Sequence, residues 1–108
     1  MFNINGEAWD IVLVPPFHPE LFRSDGSVTL GSCDDTTKTI YIDNALDGYL
    51  MKKVLAHEIT HAAMFSYNVN LEVIQEELLA DLIATHGQEI INITNKLFRQ
   101  MRKEGILD

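Results

Sequence analysis

The chain changes its hydrophobic period near residue 47, and that change constrains the fold more than any other feature. Before it, short apolar runs alternate with turn residues: Phe2 to Ile4, then Asn5-Gly6, then Ala8 to Val14. The Asn-Gly pair suits a tight type I′ hairpin turn. The second run stops at Pro15-Pro16, and a polar connection from Phe17 to Ser27 leads to another pair, Val28 to Cys33 and Lys38 to Asp43, joined at Asp34-Asp35. Beyond the change, Leu50, Val54, His57, His61, Met64 and Phe65 recur at three- and four-residue steps, as one face of a helix requires. Asn44 or Asp43 can cap its start, and Asp47 in its first turn complements the helix dipole. A break at Ser66 to Asn70 separates it from a second helical run, about Leu71 to Thr85. That run is expected to kink at Gly87 before a last amphipathic segment lined by Ile90, Ile93, Leu97 and Met101. The expected fold class is α+β: a small N-terminal sheet of three to four strands, antiparallel or mixed, followed by two functional helices.

At 108 residues the chain fits a single domain, 1–108. Apolar runs such as Ile11 to Val14 fall far short of the roughly 18 residues that span a bilayer. The first ten residues hold no Lys or Arg, so no secretory leader is expected and the expected location is cytoplasmic. Sixteen acidic residues against eight basic ones give a net charge of −8, and four of the bases, Lys96, Arg99, Arg102 and Lys103, lie near the C-terminus. Such a balance repels phosphate backbones and anionic lipid, so neither nucleic acid nor a membrane is an expected partner. The basic cluster reads as a solvated face at a helix C-terminus, where cations offset the dipole. Cys33 is the lone cysteine and reads as an ordinary strand residue, the other reading being a thiol that caps a metal in a latent form.

Within the first helix stands His57-Glu58-Ile59-Thr60-His61, the pattern H-E-x-x-H. Residues four apart on a helix differ by about 40° in azimuth, so both imidazoles face one point. Two neutral imidazoles can hold Zn²⁺, and Glu58 is placed as general base for a water that the metal activates. A core role for the pair is the competing reading, but two histidines and a glutamate would bury several polar groups that need partners. A catalytic zinc takes a third protein ligand, and the next helix offers Glu76 and Glu77, with Asp81 one turn beyond Glu77.

With His57, Glu58 and His61 followed by Glu77-Leu78-Leu79-Ala80-Asp81, the chain resembles the gluzincin class of zinc metallopeptidases, whose pattern is H-E-x-x-H and then E-x-x-x-D on a second helix. The resemblance implies that Glu77 ligates zinc with His57 and His61, and that Asp81 orients a ligating histidine. The stretch Thr39 to Ala63 also looks like the ImmA/IrrE metallo-endopeptidase family, and the compact length is similar to that of the minigluzincins. These resemblances cover about residues 38 to 87. Larger gluzincins add a subdomain that supplies a His or Tyr to the transition state, which the short stretch after Asp81 is not expected to build. Tyr67 and His86 are the candidates left to stabilise the oxyanion, each weighed against an ordinary structural role. His18 lies far from the motif and is left out of the site.

Helix geometry also separates Glu77 from Glu76. With Ile74 at zero and about 100° per residue, Leu71, Leu78, Leu82 and Leu79 fall between about 40° and 140°, the side expected to be buried. Glu77, at about 300°, and Asp81, at about 340°, form one stripe bordering Ile74, whereas Glu76, at about 200°, is expected to be solvated.

The leading expectation is a zinc-dependent peptidase acting on a protein or peptide, with an edge strand, Val28 to Cys33, aligning the substrate by strand addition. By analogy with ImmA/IrrE, that substrate would be a transcriptional repressor of a mobile element. The rivals are a zincin-like metal-binding module with a regulatory or interaction role, and a metal-free helical interaction protein. The terminal Gly105-Ile106-Leu107-Asp108 can fold back so that its carboxylates approach the metal. The oligomeric state is left open by these residues.

Overall fold

The structure, a computed structural model, describes residues 1–105. The last three residues of the segment expected to fold back, 106–108, lie outside the described residues. The element order is β1 (Phe2–Ile4), β2 (Glu7–Val14), a short 3₁₀ turn (Pro19–Leu21), β3 (Gly31–Asp34), β4 (Thr39–Asp43), α1 (Gly48–Ser66) and α2 (Val73–Lys103). This is the α+β architecture the change of period implies.

β1 and β2 form the expected hairpin, with Asn3 opposite Ala8. Its turn needs a left-handed backbone at both central positions, and Asn5 (φ 50°) and Gly6 (φ 79°) supply it. The sheet is mixed, in the order β1-β2-β4-β3: β4 runs parallel to β2 and antiparallel to β3. β3 is therefore an edge strand, as expected, although it starts at Gly31 rather than Val28. The core lies where this sheet meets α1. Trp9, Ile40, Ile42 and Ala62 are fully buried there, with Phe2, Ile4, Met51, Val54 and Ile59 packed around them. The indole of Trp9 donates its Nε1–H to Ser66 Oγ at 2.8 Å, which fastens the N-terminal hairpin to the end of α1. Asn5 Nδ2 adds a bond to the Ser66 carbonyl at 3.0 Å.

Two helix expectations are corrected. The residue at the start of α1 is Asp47, without a side-chain cap; Asp43 instead accepts from the Ala45 amide at 2.8 Å and closes the turn that precedes the helix. α2 is one continuous helix from Val73 to Lys103 that runs through Gly87, where the sequence implies a break between two segments. A glycine inside a helix costs about 1 kcal/mol against alanine but keeps its backbone hydrogen bonds, so it weakens the helix without breaking it. A capping box between Glu72 and Gln75 opens α2.

The buried side of α2 also differs from expectation. Ala80 is fully buried, whereas Ile74 and Leu78 are 82% and 70% exposed. The small Ala80 lets α2 approach α1 closely, and the carboxylates beside it find histidine partners there. The leucine side consequently turns outward. No described helix is long and apolar enough to cross a membrane.

Candidate metal centre

α1 and α2 lie side by side, and the ionisable groups of the site face one another between them. His57 and His61 stand one turn apart on α1, with their Nε2 atoms 3.1 Å from each other. Glu77 of α2 reaches both: Oε2 lies 3.1 Å from His57 Nε2 and Oε1 lies 3.1 Å from His61 Nε2. On the far side of each ring, Nδ1 meets a carboxylate. His57 Nδ1 is 2.9 Å from Asp81 Oδ1, and His61 Nδ1 is 2.6 Å from Glu76 Oε1.

Each ring thus has a carboxylate at both nitrogens; when His57 donates its Nδ1–H to Asp81 and His61 donates its Nδ1–H to Glu76, both Nε2 atoms are free to ligate a metal. In that tautomer both Nε2 atoms and the Glu77 carboxylate face one another, an arrangement that a cation among them would stabilise. His57, His61 and Glu77 can hold a metal ion, their ligand atoms all lying within 4.8 Å of one another. The donor set, two imidazoles and one carboxylate, suits a borderline-soft divalent ion. Asp81 and Glu76 would orient the ligand rings from behind, a support that commonly sets metal affinity.

Glu76 is the residue that helix geometry misplaced. It is not solvated; it holds His61. The signal in the sequence was Ala80: at about 240° it lies between Glu76 and Glu77, so a helix that turns its smallest residue toward a neighbour turns both glutamates with it.

Glu58 is 5% exposed, and its Oε2 is buried without a hydrogen-bond partner. Burial pushes its carboxyl above the usual carboxylate range, with His61 and His57 pulling partly against that shift. An unpartnered buried carboxylate oxygen is costly, and beside a metal-ligand set it is suited to receive a proton. A cleft of about 220 Å³ opens here, lined by Ser32 and Cys33 of β3, Glu58, His61 and Phe65 of α1, and Glu76 and Glu77 of α2. The edge strand therefore forms one wall of the metal centre. It can do so because Gly31 has no side chain: a Cβ there would stand 3.0 Å from Glu58 Cγ and from Val54 Cγ1. A larger apolar groove of about 530 Å³ lies further along the two helices, between Tyr49 and Ala56 on one side and Ile83 and Gly87 on the other. None of the residues of the metal centre lines it.

Cys33 is half-buried, and desolvation, followed by the charge of Glu58, pushes its thiol up to about 12. It is a neutral thiol at neutral pH. Neither Tyr67 nor His86 lines the cleft: Tyr67 ends α1 and is 58% exposed, and His86 lies exposed on α2. His18 belongs to local structure, its Nδ1 accepting from the Glu20 amide at 3.1 Å. Compared with protein-family models, with curated proteins and with solved structures, the chain gives no match.

Proposed function

We propose that the protein is a zinc-dependent peptidase that hydrolyses peptide bonds in a protein or peptide substrate. The observation that carries this reading is the convergence of two imidazole nitrogens and the Glu77 carboxylate beside a buried Glu58 whose Oε2 has no partner. Zinc held by His57, His61 and Glu77 would supply Lewis-acid polarisation of the scissile carbonyl and acidify a water. Glu58 takes the proton from that water and passes it to the leaving amine; a carboxyl raised by burial is better matched to the second transfer than an exposed one. β3 offers one unpaired backbone edge to an extended segment, which it holds as an added strand across the cleft. Asp81 and Glu76 keep the imidazoles turned toward the centre throughout.

A second reading, a metal-binding regulatory or interaction module without turnover, draws on one observation. Among the described residues, neither Tyr67 nor His86 approaches the cleft to stabilise an oxyanion.

The test compares wild type, Glu58→Gln and His57→Ala for bound zinc and for cleavage of a denatured protein substrate. Wild type should bind one zinc and cleave. Glu58→Gln should keep the zinc and lose cleavage, and His57→Ala should lose both. A wild type that binds zinc without cleaving any substrate would leave the module reading, and a Glu58→Gln protein without zinc would overturn the division of roles.

A further inference from the structure

The face of α2 that meets α1 is filled only near Ala80, which is fully buried. At about 100° per residue, Gly87 and Ile91 lie within about 20° of the azimuth of Ala80, and Ala84 lies about 40° from it. These residues continue the inner face, and α1 should cover them. It does not: Ile91 is 55% exposed, and Ile83, at the border of the same face, is 42% exposed. The space between the helices is the groove of about 530 Å³, to which α1 contributes Tyr49, Lys52, Lys53 and Ala56. Ala56, Ala84 and Gly87 are too small to fill it, so the apolar walls face each other across a hollow.

Size and charge together define an occupant. The volume falls inside the range of roughly 300–1,000 Å³ that small-molecule sites occupy, and the lining is mostly apolar, as such sites require. Its charges are of one sign. The chain holds sixteen acidic residues against eight basic ones, yet no acidic side chain lines the groove, and the two charged residues that do are Lys52 and Lys53. Neither lysine makes an ion pair among the described residues, whereas Lys38 is paired with both Glu7 and Asp35. Lys53 is half-buried and Lys52 exposed. Lysine stems lie along apolar surface and keep their ammonium groups in water, so the two charges stand at the mouth of the groove.

An uncharged hydrocarbon would leave both ammonium groups unused, and a cationic amphiphile would be repelled by them. An acidic protein segment would meet the −8 of the whole chain before it reached two lysines. One apolar chain that ends in a single anionic head satisfies the walls and the mouth together.

We propose that the groove between α1 and α2 binds one long-chain carboxylate, with its hydrocarbon against Tyr49, Ile83 and Ile91 and its head on Lys52 and Lys53. No residue of the metal centre lines this groove, so the site is separate from the proposed peptidase chemistry and does not rest on it.

The experiment is titration calorimetry on the full chain with octanoate, decanoate and dodecanoate below their micelle concentrations, with dodecyltrimethylammonium as the cationic control. The expected result is one dodecanoate per chain, a rise in melting temperature with added ligand, and an affinity that tightens about threefold to fourfold per added methylene. Ala84→Trp fills the groove and should abolish binding while the far-ultraviolet helical signal is retained. Lys52→Glu with Lys53→Glu alters no core residue, and it keeps the test decisive if the tryptophan variant fails to fold. That double variant should weaken dodecanoate about tenfold, with the effect shrinking in high salt. No binding, several dodecanoates per chain, dodecyltrimethylammonium held as tightly as dodecanoate, or a dodecanoate affinity indifferent to the lysine variant would overturn the proposal. So would sedimentation showing a dimer that excludes dodecanoate, which would assign the groove to a second copy of the chain.

Discussion

Gly31→Ala tests how closely the edge strand must approach the metal centre. A Cβ at this position lies 3.0 Å from Glu58 Cγ, 3.0 Å from Val54 Cγ1 and 3.2 Å from Ile42 Cδ1. Carbon atoms rest about 3.5–4.0 Å apart, so each neighbour falls short by roughly half an ångström. Ile42 is fully buried and cannot retreat. Val54 is β-branched and held in one rotamer by its helix. Glu58 has the extra torsions, so it or the whole edge strand moves. Overpacking of this size costs about 1–3 kcal/mol, offset by about 0.4–1 kcal/mol from the smaller entropy of the unfolded alanine chain. The net is a destabilisation of about 0–2.5 kcal/mol, read as a fall in melting temperature at about 4–8 °C per kcal/mol. His57, His61 and Glu77 are not among the three nearest neighbours of the new methyl, so metal binding should be unchanged. The proposed peptidase turnover should fall further than stability does, because the displaced group is Glu58. A variant that melts at or above the wild-type temperature and keeps full turnover would show that the strand has room here, and the account of Gly31 would be wrong.

Other perturbations reach other parts of the argument. Ser66→Ala removes the acceptor of the buried Trp9 indole and should cost about 1–3 kcal/mol in denaturant unfolding; an unchanged midpoint would mean that the indole finds another partner. Chelator competition should show Glu76→Gln weakening metal binding about 10–100-fold through His61, and Glu77→Gln weakening it more. A loss confined to Glu76→Gln would exchange their roles. Native Cys33 should resist iodoacetamide at pH 8 and react at once after unfolding, because its thiol is held near 12 against an ordinary value of 9.0. The shift is upward, so the stability it contributes is intact below pH 9 and is lost as the pH rises toward 12. Fast labelling of the folded protein would contradict it.

The parts of this fold that were legible in the sequence are those set by local chemistry. Asn5-Gly6 named its own turn, and the shift from alternating to helical period marked where sheet gives way to α1. His57 and His61 met because four residues make nearly one turn, which holds whatever surrounds the helix. Three features were not legible, each for the same reason. The direction of β4 against β2, the outward turn of Leu78 and the inward turn of Glu76 all depend on a neighbour distant in sequence. Hydrophobic pattern assigned the leucines of α2 to the interior, but α1 presents two histidines on that side, and imidazole N–H groups are satisfied by carboxylates. Polar pairing with a close approach at Ala80 prevailed over burial of apolar surface, and so the apolar surface was left bare.

The parallel pairing of β2 with β4 has a consequence for how the chain is made. Asp10 pairs with Thr39 and Val14 with Asp43, so β1 can pair early with residues 7–9 of β2 while residues 10–14 wait for a partner not yet translated. Non-local pairing of this kind is slow compared with hairpin closure. The ligands of the metal centre are ordered in the same way. His57 and His61 emerge together, and the stretch from His61 to Glu77 takes about 1–3 s at ordinary elongation rates. During that interval the nascent chain presents two imidazoles with no third ligand and no carboxylates to orient them. Any ion held by these three residues would therefore meet its full donor set only after α2 docks on α1, with Glu77 completing a site that the two histidines begin.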